Sequence, residues 1–245
     1  MEYDARKIRH DPTDLFTRAV QPALWLVVFG EVFTRVSVIP TSGLPYLDFL
    51  APGILAQSVM FISIFYGIQT IWERDLGIVY KYLASPTPRT ALVLGKGLAG
   101  GLRGLSQAVV ILLLSLALGV HLSPNPLALA GVLVVVVLLA VLFVSFSTIV
   151  AALVKTQERF MGIGQLLTMP LFFASSAIYP ISLMPGWLQP VAYGNPLTYG
   201  VDALRGLMVV GGHSQFGLPV DLGVLTGVAC VLVLISAWLY PRMAH

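Results

Sequence analysis

Residues 73–103 read ERDLGIVYKYLASPTPRTALVLGKGLAGGLR, the longest basic interruption in the chain. Five of the fourteen Lys and Arg residues fall here: Arg74, Lys81, Arg89, Lys96 and Arg103. On either side lie runs without a single Asp, Glu, Lys or Arg, at residues 49–72, 104–154, 160–201 and 222–241. About 20 apolar residues suffice for a helix to cross a bilayer. The composition agrees, with 57% apolar and 10% charged residues and a mean hydropathy of +0.88. A soluble domain has about a quarter of its residues charged, so this chain cannot cover a globule with polar surface. In lipid each segment must satisfy its own backbone, which makes the runs helices. The fold class is an all-α polytopic membrane protein.

The quoted stretch subdivides. Val79, Tyr82 and Leu83 share one side of a short amphipathic helix, with Lys81 elsewhere. Ser85-Pro86 stops it, because a residue before proline is pushed out of the helical region. Thr87 and Pro88 open a new helix that carries Arg89, Lys96 and Arg103 into a span at about 104–120. Gly97, Gly100, Gly101 and Gly104 give two overlapping GxxxG spacings, which permit close helix approach.

Upstream lies a span at about 49–72, ending in the belt residue Trp72, and before it an outer loop from Pro40 to Asp48. A first span at about 20–39 holds Glu31 and Arg35, placed for a helical ion pair. Residues 1–19 contain Arg6, Lys7, Arg9 and Arg18, with Asp11-Pro12 as a helix start, and read as a helix on the inner membrane surface, with a frayed polar tail as the alternative. No small-residue cleavage site follows the first apolar run, so no cleaved signal peptide is expected. Downstream come spans at about 127–154, 160–178 and 222–240. Between the last two, Pro180, Pro185, Pro190 and Pro196 break the apolar segment. That segment is expected to form two short re-entrant or interfacial helices on the outer side. The second, Pro196–Met208, puts Leu197, Val201, Leu204 and Met208 on one face, with Asp202 and Arg205 off it. Six spans with both termini cytoplasmic place twelve of the fourteen Lys and Arg residues inside.

The basic pI of about 9.1 is thereby a topology signal and not one for nucleic acid. A single cysteine, Cys230, excludes an intramolecular disulfide. The four histidines are scattered, and neither an HExxH pattern nor a GxSxG elbow occurs. Gly95-Lys96 is not a phosphate loop, since Thr90 and Gly97 stand where glycine and Ser or Thr are required. Glu31 is the sole acid expected within a span, so ion-coupled transport lacks its residues. A membrane-embedded enzyme finds no catalytic constellation here; a scaffold without cargo stays open.

Three stretches carry a resemblance. They are Glu73-Arg-Asp-Leu-Gly77 with Tyr82-Leu83, Ser85-Pro86, Pro88-Arg89 and Gly95-Lys96; Ser175-Ser-Ala-Ile-Tyr-Pro180 with Met184-Pro-Gly-Trp-Leu188; and Asn195-Pro-Leu-Thr-Tyr199 with Ala203-Leu-Arg205. The chain resembles the membrane subunits of ABC-2-type exporters, the group that includes daunorubicin-type drug exporters and polysaccharide or lipooligosaccharide exporters. The family often has Ser-Gly at Ser175-Ser176, and the N-terminal region here is shorter than in many members. The resemblance implies a permease of the cytoplasmic (inner) membrane that moves a hydrophobic or amphipathic cargo outward. No cofactor belongs to this chain: ATP and Mg would be bound by two copies of a separate ATPase subunit. A second permease, identical or a sister chain, would complete the pair within membrane lipid. Coupling to the ATPase would fall to Glu73, Arg74, Gly77, Lys81, Tyr82, Leu83 and Arg89, with Tyr82 and Leu83 docking. Pro180, Pro185, Trp187, Asn195, Pro196, Tyr199 and Arg205 would form the outer re-entrant gate. No catalytic or metal-ligating residue is implied.

Overall fold

The computed structural model describes residues 20–30, 32, 43–154 and 156–244. The expected helix at 1–19, the Glu31–Arg35 pair and Lys155 lie outside them. The described residues are helical, with one isolated bridge between Leu122 and Val209 in place of any sheet.

In chain order the elements are α1 (Val20–Phe29), α2 (Tyr46–Phe65), α3 (Gly67–Asp75), α4 (Ile78–Ala84), α5 (Arg89–Ala117), α6 (Pro126–Leu153), α7 (Gln157–Phe173), α8 (Gln189–Gly194), α9 (Pro196–Met208) and α10 (Leu218–Leu239). Among the described residues, four helical runs are long and apolar enough to cross a membrane: Tyr46–Asp75, Arg89–Ala117, Pro126–Leu153 and Leu218–Arg242. The first joins α2 and α3 through Tyr66, and its 30 residues extend the expected 49–72 segment at both ends. The helix expected at 160–178 is 17 residues long, Gln157–Phe173, because the chain breaks at Ala174.

The most apolar helix, α6, is the centre, packed against α2, α5, α9 and α10. It starts at the Asn125 cap, whose side chain accepts from Leu127 N, followed by Pro126 at the first helical position. The glycine stripe of α5 lies on it, the close helix approach that the spacing permits. A Cβ on Gly100 would stand 2.5 Å from Val144 Cγ2, and one on Gly97 3.2 Å from Val141. Without side chains at these positions the two backbones approach closely, and dispersion contacts replace the hydrophobic drive that lipid removes.

Short turns make α5 and α6 antiparallel and fix two ends. One end gathers Asp48, His121, Val209 and Ser214 through the contacts His121 Nδ1–Asp48 Oδ2 (2.9 Å) and Val210 N–His121 O (2.9 Å). The other gathers Arg74, α4, the start of α5, the end of α6 and Tyr240. The basic residues of 73–103 and Arg242 thus sit together, away from Asp202 and Asp221.

Candidate functional site

At the basic end, Gly77 makes the reversal between α3 and α4. Its φ of 71° is left-handed, a conformation that glycine adopts without Cβ strain. Arg74 reaches across to the C-terminus of α6, donating from Nη1 to Val154 O (2.8 Å) and Ala151 O (3.5 Å). Carbonyls left open at a helix end favour a cation there. Glu73 meets Lys96 at 2.6 Å, and Lys96 also donates to Thr70 Oγ1 (3.1 Å) and lies over the Tyr240 ring at 5.3 Å. Gln69 joins the group, donating to Glu73 Oε1 (3.4 Å) and accepting from Arg103 (3.5 Å). The pair is nearly enclosed, with 10% of the Lys96 side chain and 15% of the Glu73 side chain exposed.

A cavity of about 360 Å3 opens beside this cluster, lined by Glu73, Tyr82, Lys96 and Tyr240 among others. Burial and the Glu73 carboxylate push the Tyr82 phenol up from its ordinary range. On α4, Val79 is fully buried and Leu83 packs on the core, whereas Tyr80 (56% exposed) and Lys81 face outward, as does Leu76 (74%) in the turn before the helix. Tyr82 sits at the rim, 37% exposed. The apolar stripe that periodicity assigns to Val79, Tyr82 and Leu83 is therefore largely the face toward the chain's own helices. Arg89, exposed at the start of α5, lines a groove of about 550 Å3 with Tyr82 and Leu83. Lys96 and Tyr240 belong to this end and were not among the expected site residues. Lys96 carried a signal as a cation between Gly95 and Gly97; Tyr240 carried none.

At the opposite end the residues expected to form a gate divide. Asn195 ties two helices together: its Nδ2 donates to Leu171 O (2.6 Å) and Ala174 O (2.8 Å) at the end of α7, and its Oδ1 accepts from Leu197 N (3.0 Å) as the cap of α9. Pro196 occupies the first turn, and Tyr199 donates to Tyr193 O (2.9 Å). Arg205 is 3% exposed, donates to Ser176 O (2.7 Å) and stacks on Phe49 at 3.8 Å, with Asp202 at 4.0 Å. Pro180 is buried at the entry to a 3-10 turn (Ile181–Leu183), but Pro185 and Trp187 are exposed, Trp187 by 74%.

Leu197, Val201, Leu204 and Met208 are fully buried, as their spacing predicts. Asp202 and Arg205 lie off that face yet are also buried, because the loop after α9 folds back over them. Ser214 Oγ stands 2.9 Å from Asp202 Oδ2 and 2.7 Å from Asp221 Oδ2, and Phe216 N donates to Asp202 (3.1 Å). The expectation that Glu31 is the sole acid within a span is thereby corrected. Asp48, Lys96 and Asp221 are buried in the helical runs Tyr46–Asp75, Arg89–Ala117 and Leu218–Arg242, each within reach of a polar partner from another segment.

Over residues 2–209 the sequence matches the family described as ABC-2 type transporter. It is similar to the daunorubicin resistance ABC transporter permease protein DrrB1 of Streptomyces coeruleorubidus, with 27% identity over 96% of this chain and 81% of that protein. A transport permease designated ycf38 from Cyanophora paradoxa is 28% identical over 81% of this chain and 69% of its own length. Nodulation protein J of Rhizobium meliloti is 27% identical over 82% of this chain and 75% of its own.

Proposed function

The chain belongs to the ABC-2 type transporter family, and on that premise we propose that it is the permease subunit of an ATP-driven exporter. It crosses the cytoplasmic membrane six times with both termini inside. α1 and α7 supply the two crossings beyond the four long helical runs. ATP and Mg are bound by a separate ATPase subunit in two copies, and a second permease completes the pair. The cargo is hydrophobic or amphipathic, in keeping with relatives named for daunorubicin resistance and for nodulation.

The observation that carries this reading is α4. It is a seven-residue helix at the basic end that shows Tyr80 and Lys81 to the outside and anchors Val79 and Leu83 inside, with Leu76 exposed in the turn before it. Such a helix suits contact with a partner below the membrane. Gly77 joins it to the Tyr46–Asp75 run, and Ser85–Pro88 joins it to α5. The Glu73–Lys96 pair couples those two helices at that end, so force on α4 acts on both. At 1.5 Å per residue the 30-residue run is about 45 Å long. Its far end holds Phe49 beneath Arg205, so a tilt of this lever loads the outer gate directly.

Inside-out vesicles containing this chain and its ATPase test the reading. They should take up a cargo from a panel of drugs and lipid-linked sugars only when ATP is present. ATP-independent uptake, or none from a panel that the intact cells export, would refute it.

A further inference from the structure

Two cavities adjoin one another between α1, α2, α5 and α7. The smaller, about 100 Å3, is lined by Gln21, Gln57, Ser58, Phe61 and Gln107 among others. The larger, about 530 Å3, shares Gln21, Phe61 and Ile62 with it and adds Phe65, Arg103 and Gln165. Together they have the size of a site for one drug-sized molecule.

One side chain there lacks what its chemistry requires. Gln57 is 3% exposed, and its Nε2 has no acceptor among the described residues. A buried donor left unpaired is destabilising, because it has given up water and gained no acceptor. Its neighbour Ser58 is satisfied, donating to Ile54 O at 2.8 Å. Phe61 and Phe65 stack at 6.1 Å and give the cleft an aromatic wall. Among the described residues no Asp or Glu lines either cavity. The one cation, Arg103, lies 4.7 Å over the Tyr66 ring and reaches Gln69. Among the described residues a positive ligand entering here meets no counter-charge, and an unpaired buried charge is far more costly than an uncharged polar oxygen.

We propose that this cleft binds the oxygen-bearing part of an uncharged amphiphile, with the Gln57 amide as hydrogen-bond donor to a carbonyl, hydroxyl or ether oxygen, and that it discriminates against cations. The cleft's role as a cargo site rests on the exporter reading, but its binding chemistry does not.

The test uses the full chain in lipid nanodiscs and two fluorescent probes with the same ring system. Daunorubicin carries an amino sugar that is cationic at neutral pH; its N-acetylated derivative is uncharged. The uncharged probe should bind saturably and at least about tenfold more tightly than the cation. Gln57→Leu should weaken the uncharged probe about tenfold, the worth of one hydrogen bond. Gln57→Glu, nearly the same shape, should reverse the preference, and it carries the test alone if the Leu variant does not fold. Equal affinity for both probes, no saturable binding of either, or unaltered binding by Gln57→Leu and Gln57→Glu would overturn the proposal. Gln57-dependent binding without ATP-driven uptake would leave the cleft standing and remove only the exporter reading.

Discussion

Asn195 serves three backbone groups with one amide, closing the end of α7 and the start of α9 at once. Replacing it with Ala frees two carbonyls and one N–H in a nearly enclosed position. The expected loss is about 2–4 kcal/mol, read as a lower unfolding temperature in detergent. Asn195→Asp should recover only the cap to Leu197. Lys96 and Glu73 make a second residue-scale test. Removing one partner of a buried ion pair leaves an uncompensated charge and costs about 3–5 kcal/mol. Lys96→Met should therefore destabilise more than Lys96→Met combined with Glu73→Gln, because the double change removes the orphaned carboxylate. Single residues were the least legible part of the sequence. Asn195 stood out by resemblance and Lys96 only as a cation among glycines. The burial of Asp202 and Asp221 has no signal in the sequence, because their shared partner Ser214 lies in a loop whose return over α9 leaves no periodic trace.

The elements were far easier to read, since long uncharged runs and proline breaks act locally. The glycine spacing of α5 permits a close helix approach without naming the partner, which is α6, and Gly100→Val should wedge the pair apart. We expect lowered membrane accumulation from that change and little effect from Val at Gly95, where a Cβ meets nothing within 4 Å. Where a helix presents its faces was harder. Periodicity found the apolar side of α4 but could not say whether it meets a partner or the chain's own core. Leu83 packs on that core and Tyr82 lies at its rim, so Tyr82→Ala with Leu83→Ala should uncouple ATP hydrolysis from export and also lower stability by up to about 2 kcal/mol. Tyr80→Ala with Lys81→Ala should uncouple without the stability loss. Normal export by both double variants would remove α4 from the coupling path.

On the scale of the molecule, charge asymmetry and hydropathy pointed to an all-helical membrane protein, and the helices gather the basic residues at one end. The mechanical path proposed from α4 along the Tyr46–Asp75 run to Phe49 and Arg205 depends on contacts between segments far apart in sequence, which no local pattern encodes. Topology is open to direct measurement. In a Cys230→Ser background, cysteines at Asn125 and His213 should react with an impermeant thiol reagent from outside, whereas those at Ser85 and Thr156 should not. The central claim, that ATP bound elsewhere drives this chain, is tested most directly by purifying it from its native membrane in mild detergent. An ATPase carrying GxxxxGK followed by Ser or Thr and lacking membrane spans should co-purify in stoichiometric amount and be lost with the Tyr80→Ala, Lys81→Ala variant. Recovery of the intact chain with no such ATPase bound would contradict it.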